Sequence, residues 1–357
     1  MKTTYCYPGT FSPPTYGHLG VVRKAAALFP QVTVICSVNA AKDPWFTTEE
    51  SKKLWSAYAL PKNVTVMTIE EFRNLRTDTS RIVMIRGIRG QSDLAHEQEV
   101  ACLNRDKFGI DKYFYLFSDD GLAGTSSSLV RRSAAALELH ELAKHVSPLV
   151  ISALLEKALG LKNVFMVVGR PGSGKSTFLK SLSAVDARNV HVNTDDFNQE
   201  LKPFLREHFG TEDLVGVALE KPDELREAVG RPWTELLKDS LKRAPQGANL
   251  FLEIPYGLQP DKSLFRLVGG KVIHIGCGRA ETNHERVLKR GTPELAAFIE
   301  RIPDLRETIR IAAANRLQLT RISTDCGLPE LPAVAEQLNY SIMKGELSWQ
   351  TYSSGSY

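Results

Sequence analysis

Residues 7–18 read Tyr7-Pro8-Gly9-Thr10-Phe11-Ser12-Pro13-Pro14-Thr15-Tyr16-Gly17-His18, and this stretch decides how the first part of the chain folds. Ahead of it, Thr3–Tyr7 suits a short strand closed by Pro8-Gly9; behind it, Leu19–Phe29 suits a helix. A Gly-rich turn between the carboxyl end of a strand and the start of a helix is where an open α/β sheet takes a nucleotide, because the first N–H groups of the helix lack partners and attract an anion. In this turn Thr10 offers a hydroxyl, Gly9 and Gly17 let the backbone approach a phosphate, and His18, opening the helix, adds an imidazole to its amides. A Gly-His pair at a helix start also serves as an ordinary cap with a surface imidazole, so the reading needs support from elsewhere.

The chain has 357 residues, too many for one ordinary domain and suited to two. Its 43% hydrophobic and 24% charged residues are those of a soluble globular protein. No apolar run of about 18 residues offers a membrane span, and the start MKTTYCYPGT lacks a signal-peptide core, so the expected location is cytoplasmic with no membrane partner. The net charge of +4 is scattered, which suits small phosphorylated substrates. Clustered basic residues interleaved with aromatics, as a nucleic-acid partner requires, are missing. Five cysteines (Cys6, Cys36, Cys102, Cys277, Cys326) without a CxxC pair signal neither a disulfide framework nor a zinc site and are expected as small core residues.

Working outward, Val32–Val38 is a β-branched run suited to a buried parallel strand. Lys42 follows it, placed to meet a phosphate, with a solvated loop lysine as the alternative. Phe46-Thr47-Thr48-Glu49-Glu50 reads as a capped helix start. Asn63–Met67 and Arg81–Ile85 read as strands, the second running into a turn, Arg86-Gly87-Ile88-Arg89-Gly90. Two arginines bracketing a turn make a fork for phosphate oxygens, since guanidinium binds them in a planar, bidentate way. An exposed helix start with ion pairs accounts for Asp93 and Glu97 but not for the arginines. After a strand at Lys112–Phe117, the run Ser126-Ser127-Ser128 before Leu129 is a helix cap that also presents hydroxyls and N–H groups to phosphates.

Thr15-x-Gly17-His18, then Arg86-Gly-x-Arg89 with Asp93, Glu97 and Asn104-Arg105, then the serine run, resemble in this order the phosphopantetheine adenylyltransferases, nucleotidyltransferases of the HxGH/TxGH type. The resemblance spans about residues 2–160 and ends in a helix at Ser147–Leu159. It implies a Rossmann-like domain in which Thr10, Lys42, Arg86 and Asn104 face phosphopantetheine. Gly9, Gly17, His18, Arg89, Glu97, Ser126, Ser127 and Ser128 would face ATP, with His18, Lys42 and Arg89 stabilising charge in the reaction. It also implies that an oligomer can form through this domain. Three features depart from the pattern: Ser12 replaces an aspartate, 118–124 lacks an aromatic near the adenine, and the usual basic residue with Gly-Asp after the serines is missing.

Gly160 suits a helix stop, and Asn163–Val168 is a strand leading into Gly169-Arg170-Pro171-Gly172-Ser173-Gly174-Lys175-Ser176-Thr177, with a helix at Phe178–Leu182 behind. This is a phosphate-binding P-loop in its required context: amides cradle the phosphates, Lys175 reaches the β and γ oxygens, and Ser176 holds Mg²⁺. Strands are expected at Asn189–Asn193, Leu250–Ile254 and Lys271–Ile275. The first ends at Asp195, the candidate base for an acceptor hydroxyl, and the second at Glu253, which would position Mg²⁺ through its water. A helix at Glu281–Arg290 places Arg286 and Arg290 at i,i+4, either as a lid over ATP or as a solvated basic face.

The layout of this half resembles dephospho-CoA kinase, down to an E-R-x-x-K-R stretch and a late S-T-D-x-G segment near Ser323–Gly327. Glu253 stands where that family has aspartate, and Asn193 replaces the first acid of its D-A-D. The expected organisation is an adenylyltransferase-like domain at 1–160, a P-loop kinase domain at 161–340, both α/β with parallel sheets, and a tail at 341–357. Two consecutive steps of coenzyme A synthesis would follow, with dephospho-CoA passing from the first site to the second. The open alternatives are a nicotinamide mononucleotide adenylyltransferase joined to a ribosylnicotinamide kinase, against which Thr15 and the arginine pair speak, and a P-loop half that regulates without transferring phosphate.

Overall fold

The computed structural model describes residues 3–38, 43–117, 120–122, 124–255, 257–258, 265–276, 280–289, 299, 301–324 and 330–345. The chain divides into two compact units, Met1–Ile151 and Ser152–Tyr357. Each is an α/β unit built on five parallel strands.

In the first unit the strands are β1 (Thr4–Gly9), β2 (Val32–Cys36), β3 (Val64–Thr68), β4 (Ile82–Ile88) and β5 (Lys112–Phe117), in the order β3-β2-β1-β4-β5. The helices are α1 (Tyr16–Leu28), α2 (Thr48–Leu54), α3 (Ile69–Asn74), α4 (Gln91–Phe108), α5 (Ser127–Ala135), α6 (Leu139–His145) and α7 (Pro148–Leu159). β1 runs between β2 and β4, with Tyr5 opposite both Val32 and Val83. The strand order reverses here, which opens a crevice beyond the carboxyl end of β1. Cys6, Ile35 and Ile82 form a cluster on this sheet, while Val34, Cys36 and Ile85 are likewise shut from water.

Two expectations need correction here. Arg86, Gly87 and Ile88 do not form a turn: β4 continues through them, paired with Tyr115, Leu116 and Phe117, because ladder hydrogen bonds override the turn preference of Arg-Gly. Cys102 is exposed on α4, unlike the buried Cys6 and Cys36; Cys277 and Cys326 lie outside the described residues.

The second unit has β6 (Asn163–Val168), β7 (Asn189–Asn193), β8 (Asn249–Glu253), β9 (Lys271–Gly276) and β10 (Gln318–Ser323), ordered β10-β9-β6-β8-β7. Its helices are α8 (Lys175–Val185), α9 (Phe197–Phe209), α10 (Leu214–Glu220), α11 (Pro222–Arg243), α12 (Phe265–Val268), α13 (Ala280–Lys289), α14 (Leu305–Ala314) and α15 (Leu331–Lys344). β6 is central and wholly buried, and its reversal point lies between β8 and β9. The unit boundary falls inside α7, which Gly160 ends in a left-handed turn at φ 65°. The last helix runs to Lys344, past the expected start of a tail at 341; residues 346–357 lie outside the described ones.

A buried polar ladder crosses the amino-terminal ends of these strands. Asn163 Nδ2 donates to Asn249 Oδ1 at 2.9 Å, Asn249 Nδ2 to Asn189 Oδ1 at 2.9 Å, and Asn189 Nδ2 to Asn339 Oδ1 at 2.8 Å. Lys271 Nζ closes the row, donating to Asn163 Oδ1 at 2.8 Å and to Glu156 Oε1 at 2.7 Å. Glu156 also accepts the Val164 N–H, and burial raises its pKa against the pull of Lys271. Asn163 and Asn249 find their partners on the neighbouring strand, and Asn189 finds its own on α15, so a register slip would orphan several at once.

Removing one member of a buried ion pair leaves the other uncompensated. Lys271→Ala is expected to destabilise the second unit by about 3–5 kcal/mol in chemical denaturation, with part recovered in Lys271→Ala/Glu156→Ala. His274, 4% exposed with no partner on Nδ1, has its pKa lowered to about 4 by burial and by Arg321 and Lys175. The unfolded chain therefore takes up this proton first, and stability should fall as pH drops from about 6.5 towards about 4. Denaturation at pH 7 and 4.5 should show that loss reduced in His274→Gln.

Candidate active sites

Beyond β1 lies a cavity of about 920 Å³. Its walls bring together Gly9, Thr10, Gly17, His18, Arg86, Arg89, Glu97, Asn104, Ser126, Ser127 and Ser128, all of them predicted from sequence. Lys42 lies outside the described residues. Sequence reasoning missed His96, Lys107 and Arg131, which also line the cavity. The first two sit on the α4 face that carries Glu97 and Asn104, a signal readable once the helix is drawn.

The helix after β1 starts earlier than expected, at Tyr16, with Thr15 as its cap. Thr15 Oγ1 accepts the His18 N–H at 3.4 Å, and the Thr15 N–H donates to His18 Nδ1 at 3.1 Å, so His18 is the third helical residue rather than the first. Because Nδ1 accepts a backbone N–H, the proton of the neutral ring sits on Nε2, giving the imidazole a donor for an anion. Phe11 meets the ring edge-on at 5.1 Å. Its own ring lies within 2.8 Å of where a Cβ on Gly9 would stand, so only glycine fits there. Ser12, in place of the aspartate, is buried and accepts the Phe46 N–H at 3.0 Å, which ties α2 and its Thr47/Glu50 capping box to this loop.

The resemblance assigns Arg86 and Glu97 to opposite substrates, yet they bind each other. Arg86 Nε and Nη2 meet the two carboxylate oxygens at 2.5 and 2.7 Å, and Nη1 reaches Pro8 O at 3.1 Å. Burial alone would lower the Arg86 pKa, but the bonds and charge of Glu97 raise it, so the guanidinium stays cationic in the cavity wall. Arg89 is more open and pairs with Asp93 through its N–H at 3.0 Å and Nε at 3.1 Å. Across the cavity Ser126 caps α5, Ser127 Oγ donates to Pro13 O at 2.8 Å, and Arg131 Nη1 to Ser12 O at 2.6 Å. The serine run is thereby bound to the loop that carries the Thr-x-Gly-His residues.

The second site lies beyond β6. Gly169, Gly172 and Gly174 all have positive φ, and a Cβ on Gly169 would land on the Ile275 carbonyl oxygen. Lys175 is buried, its Nζ donating to Gly169 O at 3.0 Å and Arg170 O at 3.4 Å. Ser173 O accepts from Thr324 Oγ1 at 2.6 Å, and Thr177 lies in the first turn of α8. Ser176 Oγ donates to Glu253 Oε1 at 2.9 Å, while Glu253 Oε2 is held by His191 Nε2 at 2.8 Å, a residue the sequence reading passed over. Burial pushes the Glu253 pKa up, but His191, Lys175 and Ser176 together bring it below the ordinary value.

Asp195 sits in a 3-10 turn (Thr194–Asp196) at the end of β7. Although the residue is exposed, surrounding protein raises its carboxyl pKa; Lys175 opposes this, and Glu253 and Asp196 add to it. Arg286 on α13 donates to Gly172 O at 3.2 Å, so it faces the loop rather than solvent; Arg290 lies outside the described residues.

The first unit's strand order is that of a Rossmann-like fold, and a family model described as Cytidylyltransferase-like matches residues 6–133. Phosphopantetheine adenylyltransferase of Mannheimia succiniciproducens is 36% identical over 162 residues, covering 44% of this chain and 99% of that protein. Its counterpart in Gloeobacter violaceus is 36% identical over 134 residues, with coverage of 36% and 82%. Through these residues the chain belongs to the phosphopantetheine adenylyltransferase family. A solved structure of NadR protein in complex with NR covers 100% of this chain and 99% of that chain at 15% identity and a TM-score of 0.32, a likeness too slight to support an argument.

Because the Arg86–Glu97 pair is largely sheltered, Glu97→Ala should cost the first unit on the order of 3 kcal/mol by leaving the guanidinium without its partner. Chemical denaturation should show part of that loss restored in Arg86→Met/Glu97→Ala.

Proposed function

We propose that the chain carries out two consecutive steps of coenzyme A synthesis. In the first unit a phosphate oxygen of 4′-phosphopantetheine attacks the α-phosphorus of ATP. The new P–O–P bond forms as the bond to the β-phosphate breaks, and pyrophosphate leaves with dephospho-CoA as product. The observation that carries this reading is the convergence of His18, Arg86, Asn104 and the Ser126–Ser128 run on one cavity, in a unit of this family. His18 Nε2–H, Arg89 and the first-turn amides of α5 stabilise charge on the transferring phosphates, with Lys42 as a further cation from sequence. Thr10, Arg86 and Asn104 hold the acceptor. Catalysis is then positioning and electrostatics, without a covalent intermediate.

In the second unit the ribose 3′-hydroxyl of dephospho-CoA attacks the γ-phosphorus of ATP, its proton passing to Asp195 as ADP departs. The raised pKa of Asp195 suits a base, and Lys175, the amides of 169–177, Arg286 and Arg290 engage the phosphates. A hydroxyl and a carboxylate meeting at 2.9 Å, Ser176 and Glu253, are hard oxygen donors of the kind Mg²⁺ takes beside nucleotide phosphates. Mg²⁺ bound there would neutralise β and γ oxygens. The reading is of a cytoplasmic enzyme with small-molecule substrates, able to form oligomers through its first unit.

Incubating the protein with phosphopantetheine, ATP and Mg²⁺, with products followed by mass, should show dephospho-CoA and then CoA. His18→Ala should lower pyrophosphate release about 10²–10³-fold, while supplied dephospho-CoA is still phosphorylated at the normal rate. Lys175→Ala should leave pyrophosphate release intact and make dephospho-CoA accumulate. Wild-type protein that adenylylates but does not phosphorylate dephospho-CoA would overturn the kinase assignment in favour of another acceptor or a regulatory module.

A further inference from the structure

One hydrogen-bonded chain at the wall of the first cavity has no part in the chemistry above. Thr125, 5% exposed, lines the cavity and directly precedes the serine run. Its Oγ1 lies 2.8 Å from His145 Nδ1, and His145 Nε2 lies 2.8 Å from Glu141 Oε1 on α6. Hydrogen bonds from Lys144 and His145 hold the Glu141 carboxyl below its ordinary range, so it is ionised and can only accept. In the neutral ring the imidazole proton then sits on Nε2, Nδ1 presents a lone pair, and the Thr125 hydroxyl donates to it.

That assignment separates Thr125 from the serines beside it. With its proton committed to His145, Thr125 has no donor to give a phosphate, whereas the first-turn amides of Ser127 and Ser128 belong to the set a helix start leaves for ligands. What Thr125 does offer is an anchor. Its Cβ and carbonyl oxygen lie 3.5 Å from where a Cβ on Gly17 would stand, and its N–H donates to Leu122 O at 2.9 Å. The serine run is thus fastened on one side to Ser12 and Pro13 through Arg131 and Ser127, and on the other to α6 through Thr125 and His145.

We propose that His145 is a positioning residue for the nucleotide: through the Thr125 hydroxyl it sets the turn that aims the first-turn amides of α5 at the phosphates, and Glu141 fixes the tautomer this requires. The proposal rests on the adenylyltransferase reading of this cavity. It names a residue outside the motifs, on a helix whose sequence, Leu139–His145, carries no nucleotide signature.

The test is hydrogen–deuterium exchange on the full-length chain, following the peptide over 124–135 while ATP is titrated, so that only the first site is read. In wild type, ATP should protect this peptide. His145→Ala should speed its exchange without ATP and raise the half-protecting ATP concentration about tenfold, the upper range for one lost hydrogen bond. His145→Asn, which keeps an acceptor near the Nδ1 position, should return it to within about threefold of wild type. Thr125→Val should match His145→Ala, and the double variant should be no worse than either.

Unchanged protection in His145→Ala, additive losses in the double variant, or no protection by ATP in wild type would overturn the proposal. Should His145→Ala not fold, as judged by circular dichroism, the near-isosteric Thr125→Val and the His145→Asn variant decide it. Pyrophosphate release by wild type is measured separately: its absence would reject the adenylyltransferase reading, while the exchange data still determine whether His145 sets nucleotide affinity.

Discussion

The N–H groups at the start of a helix that follows a parallel strand lack partners along their own helix, and this constraint sets where each unit can bind an anion. Parallel strands require crossovers, and the crossovers deliver helix starts to the carboxyl edge of the sheet. The two units deal with these starts differently. In the first, Thr15 and Ser126 each satisfy one amide of α1 and α5, leaving the others beside the cavity. In the second, α8 begins at Gly174 with no side-chain cap.

Charge in both sites is organised by a single sheltered glutamate. Glu97 takes Arg86 in both of its oxygens, so a cation that burial would otherwise disfavour remains charged where a phosphate can reach it. Glu253 takes Ser176 on one oxygen and His191 on the other, and Thr194 grips its backbone carbonyl at 2.8 Å. In each case the carboxylate meets its partner from a different element: Glu97 from the helix that follows the strand of Arg86, and Glu253 from the strand beside that of His191.

That is also why the sequence disclosed some of this and not the rest. Strands at Lys112–Phe117, Asn163–Val168 and Asn189–Asn193 were legible to the residue, because β-branched and aromatic runs flanked by turn residues have few other solutions. Thr47 and Glu50 announced their capping box for the same reason, since its partners lie three residues apart. From sequence β4 reads as ending at Ile85, because Arg-Gly resembles a turn when its ladder to β5 is out of view. The motif residues of the first cavity were found, but the bond between Arg86 and Glu97 was not, nor were His191 and His145, whose partners lie 62 and 20 residues away. Helices α9, α10 and α11 carry no motif in the sequence; Leu201, Leu205 and Val229 form a small cluster among them.

Lys175 is held by the backbone of its own loop. Its ammonium is solvated by the carbonyl oxygens of Gly169 and Arg170, and Arg286 rests on that of Gly172. The backbone thus supplies surrogate oxygens to the cations that phosphates would otherwise claim. A polyphosphate that took these cations would exchange oxygen for oxygen. The affinity of such a loop for phosphate would then measure how much better phosphate oxygens serve these cations than its own carbonyls do.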